Sequence, residues 1–241
     1  MENEIGIIVY APDMVDDDDR PLAVVRGMER AFPGLRLEWR ITDKGELVHL
    51  PQRDAWVNHV TELRPLRMVC NGDENDLVTL WGSRIPALLR TGVKARSDFH
   101  ADLPHNAAGV AAAPAVLEAV AEAARAYWGR ATPFNASVDI VSRHPPRRGL
   151  PLLKDPDALR SPEVPWHLGW LCYWSAAAAR VIGFPDPARD AELLSRSRRT
   201  ASGGWVVQLT DEPLDLDKPE HLDALKRTYE RFPEIGGRSA P

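Results

Sequence analysis

The sequence predicts an α+β fold: a single compact domain of 241 residues with a central mixed or antiparallel sheet flanked by helices. Three observations carry that prediction. Short strand patterns and helix patterns mix along the chain without the strict alternation that builds parallel βαβ sheets. The composition is that of an ordinary globular protein, 44% apolar and 27% charged, and a chain of this length buries a sizeable core without staples. No internal repeat divides it.

Taken in order, residues 5–9 (IGIIV) form a short continuous apolar run and read as a central strand. Pro21 opens a helix through Ala31, with Leu22, Val25 and Met28 on one face. Residues 35–41 (LRLEWRI) alternate as a strand does, and Gly45 turns the chain into residues 46–50, a candidate hairpin. Residues 54–63 carry a weaker helical pattern. Residues 66–70 and 77–81 read as two strands around the turn Asn71-Gly72-Asp73-Glu74, and residues 95–101 as another. Residues 113–128 give the cleanest helical stripe of the first half, with Pro114 at its start and Gly129 at its end. Residues 138–141 read as a strand. Residues 143–165 are Pro-rich and basic, a connection that offers a subdomain boundary within the 1–241 unit. Residues 166–182 are apolar nearly all round and read as a buried helix. A short helix follows over 186–194, and then a basic turn with Arg196, Arg198 and Arg199.

The C-terminal run is the most informative part. Residues 205–209 (WVVQL) follow two glycines and read as a buried strand. An acidic, Pro-broken turn comes next, with Asp211, Glu212, Asp215 and Asp217. Asp217 and Glu220 stand three apart, an acidic variant of the capping box, around Pro219. Leu222, Leu225, Tyr229 and Phe232 continue at helical spacing, and Pro233, Gly236 and Gly237 end the helix.

Charge is unevenly distributed. The stretches 13–19 and 211–223 each contribute −5 against a chain total of −5, so the remainder is net basic. Nothing concentrates positive charge along one element, which argues against a nucleic-acid binder. No apolar run reaches membrane-spanning length, so no membrane partner is expected. The N-terminus lacks the basic flank of a secretory signal, and Cys70 and Cys172 are far apart, as in reduced cytoplasmic proteins. The chain is therefore placed in the cytoplasm.

Motifs for chemistry are weak. Asp16, Asp17, Asp18 and Asp19 follow a predicted strand, but four consecutive acids diverge and lack the alternating ligands and Gly turn of a calcium loop. They read as a solvated loop or a partner-docking loop. His100 and Asp102 would face one side of a strand, with His105 beyond Pro104, yet the spacing matches no standard zinc pattern. There is no G-x-S-x-G, no H-E-x-x-H and no Walker loop. Cys172 and His167 form no obvious dyad. No catalytic residues, metal or cofactor are expected. Carboxylates before a helix serve its positive end; those not so used at Asp211, Glu212 and Asp215 are candidate partner contacts alongside the 16–19 loop.

The run GGWVVQLTDEPLDLDKPEH…YERFPEIGGR, together with the block GWLCYWSAAAARVIGFP, resembles polymorphic-toxin immunity protein family 52 over about the last 75 residues. The resemblance implies a cytoplasmic antitoxin without catalysis of its own, whose partner is a cognate toxin, in related systems often a restriction-endonuclease-like nuclease. Two other readings stand beside it: a metal-assisted hydrolase using the aspartate loop with His100 or His105, and a general protein-interaction module.

Overall fold

The chain begins with a nine-residue strand, β1 (Glu4–Pro12), whose side chains alternate between two environments. Ile5, Ile7, Val9 and Ala11 are fully buried, while the residues between them are half-buried. In the computed structural model the described residues are 3–14, 18–58, 65–87, 95–142, 147–154 and 161–237. The chain divides into two units, Glu4–Ala126 and Tyr127–Pro241 together with Met1–Asn3, which part upstream of the Pro-rich connection.

In the first unit β1 is followed by α1 (Arg20–Ala31), β2 (Trp39–Ile41), β3 (Leu47–His49), α2 (Arg53–Val57), β4 (Leu66–Cys70), β5 (Thr79–Ile85), β6 (Arg96–Pro104) and α3 (Ala107–Ala124). The strands order as β3-β2-β4-β5-β6-β1, each antiparallel to its neighbours. The expected hairpin is β2–β3, with Trp39 opposite His49. One face of β1 and β6, including Phe99, Ala101 and Leu103, is fully buried and lies against α3. From α3 the residues Ala113, Val116, Leu117, Val120 and Ala121 are buried in return.

The helix α3 differs from expectation at both ends. Asn106 caps it, its side-chain oxygen accepting from the Ala108 and Gly109 N–H groups. Pro114 therefore sits inside the helix, not at its start. Arg125 ends it in the left-handed conformation, and Gly129 belongs to the next strand. Gly109 is required because a Cβ there would meet the Pro104 carbonyl oxygen at 1.9 Å. By length and composition α3 is also apolar enough to cross a membrane, contrary to expectation; it is packed on β1, β6 and α1.

In the second unit come β7 (Trp128–Pro133), α4 (Phe134–Val141), β8 (Leu171–Trp174), α5 (Ala176–Val181), α6 (Ala191–Ser195), β9 (Arg198–Arg199), β10 (Trp205–Gln208) and α7 (Pro219–Arg231). The strands order as β7-β8-β10-β9, antiparallel. Two expectations are corrected here. Residues 138–141 lie in α4, not in a strand. Residues 166–182 are not one buried helix: residues 171–174 form a central strand, and the helix begins only at Ala176, where the Ser175 hydroxyl accepts from the Ala178 N–H.

The register explains that outcome. Trp174 stands opposite Trp128 on one side and Trp205 on the other, an in-register row of three indoles across three strands. Aromatic cross-strand pairs are among the stronger sheet contacts. Trp174 also meets Phe184 and Phe232 edge-on, with centroids at 5.0 and 5.3 Å. α7 closes the unit with Leu225, Tyr229 and Phe232 fully buried, while Leu222 is only half-buried and His221 is buried in its stead. The result is an α+β fold of antiparallel sheet and flanking helices, as the sequence predicts.

Candidate functional site

The first acidic stretch is organised by a buried arginine. Arg20 opens α1, and its Nε donates to both Asp18 carboxylate oxygens, at 2.9 and 2.8 Å. Its Nη2 donates to Asp18 at 2.5 Å and to the Asp13 carbonyl at 2.9 Å; its Nη1 donates to the Pro12 and Ala124 carbonyls. Side-chain exposures are 5% for Arg20 and 6% for Asp18. Asp18 is thus not displayed to a partner, because it neutralises the charge that holds the loop to the strand end. Asp19 is 80% exposed, with Arg125 at 3.4 Å. Asp16 and Asp17 lie outside the described residues. Asp13 is bound at the far end of β5, accepting from Arg84 at 2.7 and 2.6 Å.

The second stretch is a rigid turn on the way into α7. The Gln208 side chain donates to the Thr210 and Asp211 carbonyls, and the Thr210 hydroxyl to the Glu212 carbonyl. Leu214 and Leu216 are buried and pin the turn, leaving Asp211, Glu212, Asp215 and Asp217 exposed between them. The predicted capping box does not form. Lys218 occupies the cap position without a side-chain cap, so Asp217 falls one residue too early and pairs with Arg148 at 2.8 Å instead. Arg148 also donates to Asp139 and to the Leu216 carbonyl, tying α4 to the turn. The hydrogen bond from Lys218 holds the Glu212 carboxyl below its ordinary range, at 2.5 Å separation. Asp215 accepts the Asp217 N–H and donates its own N–H to His221 Nδ1. Among the described residues Asp211 and Asp215 make no ion pair, although Asp215 and Lys218 attract at longer range.

A third group was hidden in the register. Asp98, His100 and Asp102 alternate along one face of β6, opposite Ser83, Trp81 and Thr79 of β5. The Trp81 and His100 rings stack at 3.9 Å and 6°. Asp98 accepts from Ser83 and lies 3.1 Å from His100 Nε2; Asp102 accepts from Thr79 at 2.9 Å. Burial would raise the Asp98 carboxyl, but the hydrogen bonds from His100 and Ser83 outweigh it and hold it low. The order of groups matters chemically. The carboxylate stands between serine and histidine, whereas a nucleophilic relay needs the histidine between the other two. His105 is not part of the group, and among the described residues no cluster of three His, Cys, Asp or Glu side chains is placed to hold a metal. The signal for this group was the i, i+2, i+4 spacing of Asp98, His100 and Asp102, with Asp98 as the overlooked member.

Cys172 and His167 are both buried on the second unit. Burial raises the Cys172 thiol to about 12 and drives the His167 imidazole well below its ordinary range, helped by the Arg130 charge. A neutral thiol and a neutral imidazole with no hydrogen bond between them are the opposite of an activated pair.

The 211–217 turn thus presents exposed carboxylates between the buried Leu214 and Leu216. The chain belongs to the family of the domain of unknown function DUF5953, which matches residues 16–240. The fold is similar to that of the Pseudomonas aeruginosa T6SS protein PA0821, with a TM-score of 0.57 and 14% identity, over 95% of this chain and 77% of that one. The comparison with curated proteins gives no match.

Proposed function

We propose that this chain is a cytoplasmic immunity protein that binds and neutralises a cognate toxin. The observation that carries the reading is the fold shared with a T6SS protein over 95% of the chain. The C-terminal likeness to immunity protein family 52 points the same way. The binding face centres on Asp211 and Asp215, held out by the buried Leu214 and Leu216, with Glu212 beside them.

A nuclease toxin must draw phosphates into its groove, and ordered carboxylates compete for the same positive potential. They raise the encounter rate through steering, while affinity resides in a few buried anchors. The rigidity of the turn matters because carboxylates already in place lose little freedom on binding. The test is co-expression with a candidate toxin from a neighbouring gene, followed by pull-down of the purified pair. Growth rescue with a stoichiometric complex supports the reading; a toxin that neither binds nor is neutralised rejects it.

A further inference from the structure

We propose that the cleft between α6 and α7 is a binding site for an oxyanion, either a phosphoryl group or a carboxylate. The cleft measures about 180 Å³ and is lined by Arg189, Arg196, Arg227 and Arg231, with Asp190 and Glu192 as its acids and Leu209 as an apolar wall. That is smaller than the roughly 300–1,000 Å³ of pockets that enclose whole drug-sized ligands, and suits one anionic group.

The two acids are already committed. Asp190, with its side chain fully buried, accepts from Arg231 Nε at 2.7 Å and Nη2 at 3.1 Å, and from the Asp186 N–H at 2.7 Å. Glu192 accepts from Arg196 Nη2 at 3.0 Å. Arg231 Nη2 also donates to the Gly183 carbonyl, and Arg196 Nε to the Gln208 carbonyl at 3.4 Å. Arg189 is taken by Asp186 at 3.6 Å.

What is left over is all donor. Among the described residues, Nη1 of Arg231 and Nη1 of Arg196 have no acceptor, and Arg227 makes neither a hydrogen bond nor an ion pair, its charge acting on Glu192 only at longer range. A guanidinium fork matches the paired oxygens of a carboxylate or phosphate. Two of the three forks are held in place by their acids before any ligand arrives, which lowers the entropic cost of binding. Four arginines against two acids leave the lining net positive.

Titration calorimetry on the full chain tests the site, at constant ionic strength set with NaCl. One arm uses inorganic phosphate and the other a terminally blocked Asp-Asp dipeptide. Saturable one-to-one binding of either supports the site. Phosphate alone assigns a phosphoryl ligand, and the dipeptide alone assigns a protein-borne carboxylate. Arg227→Gln and Arg196→Gln should each weaken binding by about tenfold or more, since hydrogen bonds to charged groups are the strong class. Arg231→Gln is avoided, because it would strand the buried Asp190. If neither titrant saturates, or if both variants bind like the parent, the proposal is overturned. That failure leaves the toxin-binding reading standing, since no toxin enters the experiment.

Discussion

Replacing Arg20 with Met should be the most damaging single change in the first acidic loop, although the loop reads as surface. The side chains of Arg20 and Asp18 are both nearly inaccessible, at 5% and 6%. Methionine keeps the volume and removes the charge, leaving the Asp18 carboxylate buried with no counter-charge. Breaking a buried pair in this way costs about 3–5 kcal/mol. The Pro12 and Asp13 carbonyls lose their donor as well. With a urea dependence of about 3 kcal/mol/M, the upper end for small proteins, the unfolding midpoint should fall by roughly 1–2 M. Asp19→Asn is the control: its pair with Arg125 is exposed on both sides, so the change should stay within about 0–1 kcal/mol. Asp18→Asn alone should also destabilise, and the double variant Arg20→Met/Asp18→Asn should recover part of the loss, because no uncompensated charge is left. Chemical denaturation of all four proteins closes the cycle. An Arg20→Met protein within 1 kcal/mol of the parent, or a double variant no better than the sum of its singles, would refute the buried-pair account.

Trp174→Ala should cost about 3–5 kcal/mol, as the ring is buried between Phe184 and Phe232, whereas Trp205→Ala should cost less because that indole is half-buried; thermal unfolding of both ranks them. His167 stays neutral when folded, so its contribution is present above the ordinary histidine value of 6.5 and is lost as pH falls below it; each pH unit of acid then costs up to about 1.4 kcal/mol, read from denaturation at pH 4 to 7, and His167→Phe should flatten that slope. The Cys172 thiol runs the other way: its stabilising effect is present below the unfolded value of 9.0 and fades as pH rises toward about 12, and native protein at pH 8 should leave it unmodified by a thiol reagent over hours. With the toxin in hand, Asp211→Asn/Asp215→Asn should slow association and weaken its salt dependence while leaving dissociation nearly unchanged, measured by surface-binding kinetics.

Much of the architecture was readable where local pattern and tertiary context agree. The strand over residues 66–70 needed only the turn that follows it, and the helix from Pro21 to Ala31 only its opening proline and apolar face. The failures share one cause. A continuous apolar run such as Leu171–Trp174 satisfies a buried helix and a buried strand equally, and only the cross-strand partners Trp128 and Trp205 decide between them. Pro114 misled for a related reason. It reads as a helix start, but burial of Ala113, Val116 and Leu117 against the sheet outweighs the donor it lacks. For the candidate site, acidity was legible and availability was not. Asp18 looks like Asp19 in sequence, and only the placement of Arg20 separates a buried counter-ion from an exposed charge.

The two-residue strand β9 limits how this protein is approached. Its residues, Arg198 and Arg199, are exposed and end the second unit's sheet beside β10. An incoming peptide gains affinity from a sheet margin by extending its backbone ladder over several residues, and two arginines give it almost no ladder to extend. Recruitment along this margin must therefore use side chains. The same brevity guards the chain against its own copies, since crowded molecules find no flat backbone there on which to stack.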